Sequence, residues 1–108
     1  MKLLTKEIIA KLPALGSTDG KPAATRQVIV KFFSPYSGWT WYTLEGEKRE
    51  DGDYEFFGYV KGFESEYGYF TLSELESARK GGVPLVERDM HYGAHTLQEV
   101  LDGDTAAL

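Results

Sequence analysis

The sequence predicts an α+β domain: an antiparallel four- to five-stranded meander sheet with an N-terminal helix and two short helices. Three observations predict it. Runs rich in β-branched and aromatic residues recur between residues 26 and 72. The stretches between them are shorter than the dozen or so residues that a parallel crossover needs, so neighbouring strands are antiparallel. Helix-start signatures stand on either side of these runs.

In chain order, Thr5 precedes the periodic run KEIIAKL, and its hydroxyl suits the free amides of a first helical turn. Glu7 sits where the helix dipole favours an anion, Ile8, Ile9 and Leu12 share a face, and Pro13 ends the helix. Residues 14–25 are rich in Gly, Ser, Asp and Pro and read as a loop. Arg26–Phe33 reads as the first strand, with Val28, Val30 and Phe32 on one face. Trp39–Leu44 is the second strand, and Glu45–Asp53 a charged, flexible connection. Tyr54–Lys61 is the third strand and Tyr67–Leu72 the fourth.

Ser73 and Glu76 have capping-box spacing, so a helix is expected from Ser73 to Lys80, ended by Gly81 and Gly82. Leu85–Tyr92 reads as a fifth short strand or an ordered loop. Thr96 and Glu99 form a second capping box, opening a helix through Leu101, and residues 102–108 read as a frayed tail. The helices are expected mainly on one face of the sheet. Val28, Val30, Phe32, Val60, Phe70 and Leu75 are the expected core.

The 108 residues fit one domain, residues 1–108. The aromatic fraction of 14% supplies the burial that offsets chain entropy and argues against disorder. Cysteine is absent, which removes disulfides, thiolate metal ligands and cysteine nucleophiles. Lys6, Glu7 and Lys11 interrupt any apolar leader, and no stretch approaches the ~18 apolar residues of a membrane span. The expected location is therefore the cytoplasm, without membrane association. The net charge is −5 and unevenly spread: residues 1–44 carry +4 and residues 45–76 carry −7. That acidic block repels phosphate backbones, so direct nucleic-acid binding is not expected.

The motifs of common catalytic chemistry are missing. No P-loop or dinucleotide-binding glycine pattern is present, and no serine sits in a nucleophile elbow. His91 and His95 are four apart, but Gly93 between them and a helix start at Thr96 keep them off a single helical face. No metal or cofactor is expected. Glu87, Arg88 and Asp89 form a charged run: either Glu87 and Asp89 are a carboxylate pair for acid–base work or hard-metal binding, or the run is an ion-paired edge in which Arg88 tethers neighbouring elements. Trp39 and Trp41 point to one face of the second strand and Tyr42 to the other, and Phe56, Phe57 and Tyr59 repeat this two-sided pattern. Either structure covers both faces, or one face is a binding surface, where Trp and Tyr dominate the energetics.

Three blocks then become recognisable: KFFSPYSGWTWYTLEGE (Lys31–Glu47), FFGYVKGFESEYGYFTLSELES (Phe56–Ser77) and VERDMHYG (Val86–Gly93). With the opening MKLLTKEII and the closing HTLQEV, they resemble, in order and spacing, a family of small uncharacterised bacterial proteins catalogued as a domain of unknown function. The resemblance implies accessory proteins of plasmids, integrative elements and phages. It carries over no catalytic residue.

The leading reading is a non-enzymatic accessory or anti-defence protein that occupies a protein partner, with an oligomeric state the sequence leaves open. The candidate binding residues are Trp39, Tyr42, Phe57, Tyr59, Glu64, Glu66, Glu87, Arg88 and Asp89. Two other readings stay open. One is a small metal-dependent hydrolase using Glu45, Glu66, Glu87, Asp89 and His91. The other is a small-ligand or nucleotide sponge in which Trp39 or Tyr42 stacks on a base.

Overall fold

A computed structural model describes residues 2–106. Helix α1 (Lys6–Lys11) starts where the sequence predicts, with the Thr5 hydroxyl accepting from the Ile8 amide at 3.3 Å. The following loop runs through successive turns and one 3-10 turn, Ala23–Thr25.

The expected first strand is split in two. β1 (Gln27–Val28) and β2 (Val30–Phe33) are separated by Ile29, whose amide still donates to the Thr43 carbonyl at 2.9 Å. The break reverses a face. Val30 and Phe32 pack with Phe56 and Phe70, whereas Val28 packs on the opposite side with Leu44 and Tyr59. The expectation of one shared face for Val28, Val30 and Phe32 is therefore corrected.

β3 (Thr40–Lys48) runs four residues past Leu44, because Glu47 and Lys48 pair with Glu55 and Tyr54 of β4 (Tyr54–Lys61). The expected flexible connection from Glu45 shrinks to a tight turn closed by the Arg49 amide on the Asp53 carbonyl at 2.7 Å. The register of β3 against β4 shifts between Thr43 and Glu45, a bulge that inserts Leu44 into the ladder. β5 (Ser65–Thr71) pairs with β4.

Helix α2 (Leu72–Ser77) is capped by Thr71, not Ser73. Thr71 accepts from the Glu74 amide at 3.2 Å, while Ser73 is held by Asp53, its hydroxyl donating to Oδ2 at 2.5 Å and its amide to Oδ1 at 3.1 Å. The helix ends before Lys80. Arg79–Lys80 (β6) and Val83–Pro84 (β7) instead form a hairpin around Gly81 and Gly82, whose φ values of 59° and 80° suit a two-residue turn. β8 (Glu87–Arg88) pairs with β2 and is the fifth strand of the main sheet. β9 (His95–Thr96) pairs with β1. Helix α3 (Leu97–Ala106) opens on Thr96, which accepts from the Glu99 amide at 3.2 Å. It replaces the expected frayed tail as far as Ala106, and residues 107 and 108 lie outside the described residues.

The main sheet has the order β5-β4-β3-β2-β8, antiparallel throughout. The chain is thus α+β: a meander from β2 to β5, with β8 returning to lie beside β2. Ile8 and Ile9 of α1, Leu12 just after it, and Leu72 and Leu75 of α2 cover one face. Leu97, Val100 and Leu101 of α3 cover part of the other. The helices therefore sit on both faces, which corrects the one-sided expectation and accounts for much of the two-sided aromatic pattern. Of the expected core, Val28, Val30, Phe32, Phe70 and Leu75 are buried. Val60 is only partly buried, because it faces an open groove at the end of the sheet. No helix among the described residues is long and apolar enough to cross a membrane.

Candidate functional site

That groove lies on the α1/α2 face, at the end of the sheet where β4 turns into β5. It encloses about 520 Å³ and is lined by Trp39, Val60, Phe63, Glu64 and Glu66. Trp39 enters β3, and its indole lies over Gly62, where any Cβ would come within 2.5–2.7 Å of the ring. A glycine at residue 62 is what lets the indole lie against the hairpin. Phe63 occupies the hairpin tip, closed by the Gly62 amide on the Glu64 carbonyl at 3.0 Å, and is 95% exposed. Its ring meets Trp39 edge-on at 5.4 Å and 84°, and Trp41 extends the shelf at 5.9 Å.

The opposite face of the same hairpin carries a second aromatic group. Phe57 stacks on Tyr67 at 6.1 Å and 8°, and Tyr69 lies 5.0 Å from Phe57. Tyr67 and Tyr69 alternate along β5 and are 46% and 66% exposed. Tyr59, a candidate from the sequence, is instead buried in the core under α3 and meets Tyr67 edge-on. β5 is the last strand of its sheet, so its outer backbone groups have no ladder partner.

A cleft of about 360 Å³, lined by both charged and aromatic side chains, lies between the sheet and α3. The Lys31 ammonium stands 5.8 Å from the Tyr42 ring centre and 5.1 Å from that of Tyr92, and pairs with Asp89 at 3.3 Å. Burial pushes the Asp89 carboxyl up, but the His91 amide and Lys31 outweigh it and leave it below the ordinary aspartate value. Burial, followed by the nearby Tyr42, Glu99 and Asp89, raises the Tyr92 phenol well above its ordinary value. The His95 ring sits against Tyr92 at 4.2 Å, with Nδ1 3.0 Å from Glu99 and Nε2 2.6 Å from the Tyr92 carbonyl. Lys31 therefore stands over one face of Tyr42, where a stacked base would otherwise lie.

Glu45 does something the sequence did not show. It is 2% exposed and pairs with Arg26, itself 9% exposed, at 3.2 Å. Its Oε1 accepts from the Gly16 amide at 2.7 Å, and Oε2 accepts from the Thr18 amide at 2.9 Å and from the Thr18 hydroxyl. Burial raises the Glu45 carboxyl, but the Thr18 hydroxyl, the two amides and Arg26 together bring it below the ordinary glutamate value. Glu47 adds a bond from the Leu15 amide at 2.9 Å. The loop of residues 14–25 is thus pinned to β3 by two carboxylates.

The carboxylates proposed for a hydrolase are dispersed. Glu45 is spent on the loop, Glu66 faces the Trp39 groove, Glu87 lies in β8 with Asp89 just after it, and His91 is exposed. Among the described residues no three His, Asp or Glu side chains are grouped to hold a metal ion. Both ring nitrogens of His95 already face protein acceptors, so it does not join His91. In the charged edge, Asp89 tethers β8 to β2 through Lys31; Arg88 pairs across from Phe32 and Glu87 from Phe33.

Of the candidates, the structure brings together Trp39, Glu64 and Glu66 at one groove, with Phe57 on the other side of the same hairpin. Tyr42 and Asp89 belong to the Lys31 network. Phe63, Tyr67 and Tyr69 were missed, though a phenylalanine flanked by Gly62 and Glu64 in a turn was a usable signal. No curated protein and no solved structure matches this chain. The family model described as Protein of unknown function (DUF2958) matches residues 3–102, so the chain belongs to that family.

Proposed function

We propose that this chain is a non-catalytic binding protein that occupies a protein partner along its β5 hairpin. One observation carries the reading. The free edge of β5 carries the exposed Tyr67 and Tyr69 on one face, and the exposed Phe63, at the tip of the same hairpin, lies against Trp39 on the other face of the sheet. Exposed aromatics beside an unpaired strand edge combine main-chain pairing with hot-spot side chains, the chemistry of strand addition. An accessory or anti-defence role on a mobile genetic element is the setting we propose; it rests on the family resemblance alone.

The test compares affinity capture from the native host by the wild-type chain and by Tyr67→Ser/Tyr69→Ser. The variant gives up the pairings of Tyr67 and Tyr69 with Phe57 and Tyr59 and should lose some stability, so its denaturation curve is measured alongside to show that it is folded at the capture temperature. The expected result is a specific protein retained by the wild type and lost by the variant. Equal capture by both chains would reject the β5 surface.

A further inference from the structure

The groove between Trp39 and Phe63 has a chemistry that names its occupant. The two rings stand at 84° to one another, forming an aromatic corner with Val60 beside it. Ring faces carry negative electrostatic potential and attract cations. Glu64 and Glu66 line the same groove, and among the described residues no lysine or arginine forms an ion pair with either. Two carboxylates lining one groove give it a negative field that favours a positively charged occupant. The nearest basic residue of the hairpin, Lys61, lines the cleft on the other face instead.

The corner is also preorganised. Trp39 is fixed by its fit over Gly62 and by Trp41, and the hairpin tip is closed by a backbone hydrogen bond. Among the described residues, Phe63, left 95% exposed on this constrained turn, makes its one ring contact with Trp39. A volume of about 520 Å³ accommodates a long side chain rather than a whole domain element.

We propose that this groove receives the guanidinium of an arginine on the protein partner. The planar group stacks against the Trp39–Phe63 corner while its N–H fork donates to the carboxylates of Glu64 and Glu66. Arginine suits the site better than lysine because its flat, weakly hydrated head both stacks and donates in a fork. The inference rests on the partner-binding reading above and supplies the partner's chemistry.

The probe is a capped Gly-Arg-Gly peptide, with the capped Gly-citrulline-Gly peptide as its neutral isostere. Binding is followed by the indole N–H resonances of Trp39 and Trp41 in the full chain. The expected result is a saturable shift centred on Trp39, with Kd on the order of 1–10 mM for so small a ligand. Citrulline should bind at least about ten-fold more weakly, and added salt should weaken arginine alone. Glu64→Gln/Glu66→Gln should erase the preference for arginine. Phe63→Ala, at a site too exposed to disturb the fold, should weaken binding of both peptides.

Equal binding of the two peptides, or no saturable shift up to about ten times the expected Kd, would overturn the inference. The capture experiment separates this failure from that of the broader reading. A partner lost with Tyr67→Ser/Tyr69→Ser but retained by Glu64→Gln/Glu66→Gln leaves partner binding standing and removes the arginine.

Discussion

The carboxylate of Glu45 and the guanidinium of Arg26 meet at 3.2 Å with both side chains nearly closed to solvent. Arg26 also donates to the Thr18 hydroxyl at 3.1 Å and stands 5.9 Å from the Phe57 ring centre. A charge from the start of β1 and one from the bulged part of β3 thereby hold a loop of a dozen residues that has little regular structure of its own.

Glu45→Ala should cost about 3 kcal/mol or more, because it leaves a buried guanidinium uncompensated. It also takes the acceptor from the Gly16 and Thr18 amides. The apolar pair Arg26→Met/Glu45→Leu should not restore wild-type stability, since those amides remain without it. Urea denaturation measures the loss, and hydrogen exchange at Gly16 and Thr18 locates it. The pH dependence has a definite sign. The folded Glu45 carboxyl lies below its ordinary value, so its stabilisation is complete above the unfolded value and is lost as pH falls through the folded one. The stability gap between wild type and Glu45→Gln should therefore narrow on acidification below about pH 4.5.

Gly58→Ala should destabilise the sheet by about 3 kcal/mol or more, at the upper end of overpacking effects. A Cβ at residue 58 would lie 2.0 Å from the Tyr42 carbonyl oxygen, and that atom belongs to the backbone of β3 and cannot rotate away. Thermal denaturation checks this. A change within the scatter of surface substitutions would mean that β3 and β4 are further apart than described.

Phe32→Ala should cost about 3–5 kcal/mol, the range for removing a fully enclosed aromatic ring. Phe32 is 0% exposed and packs 5.9 Å from Phe56 between the sheet and the helices. Equilibrium denaturation reads it directly, and a loss below about 1 kcal/mol would reverse the face assigned to β2.

Much of this architecture was legible locally. Thr5 and Thr96 cap the helices they were expected to cap, and four strands of the meander lie close to their predicted places. The failures share one cause: a local pattern with two readings, decided by a distant residue. Thr71 with Glu74 and Ser73 with Glu76 are overlapping capping boxes, and Asp53, across the sheet, takes Ser73 out of the choice. Gly81 and Gly82 satisfy a helix stop and a hairpin turn equally, since both demand positive φ. Glu45 reads as the start of a charged loop until the bulge after Thr43 and the loop amides enclose it. At the candidate site, the sequence offered Trp39, Glu64 and Glu66 separately. Only the register that sets Val60 opposite both Trp41 and Glu66 brings them to one groove.

The pairing of β1 with β9 bears on the order of assembly. Residues 27 and 96 are ladder partners, whereas β2 to β5 are joined by short connections. Contacts close in sequence form with little loop-closure entropy, so the meander is expected to form before the β1–β9 ladder. Synthesis from the N-terminus also makes the meander before α3. Until α3 docks, the sheet face carrying Leu44 and Tyr59 has no helix above it. Helix α3 is therefore what closes this face, and a chain cut before Leu97 should leave Leu44 and Tyr59 open to solvent and prone to association.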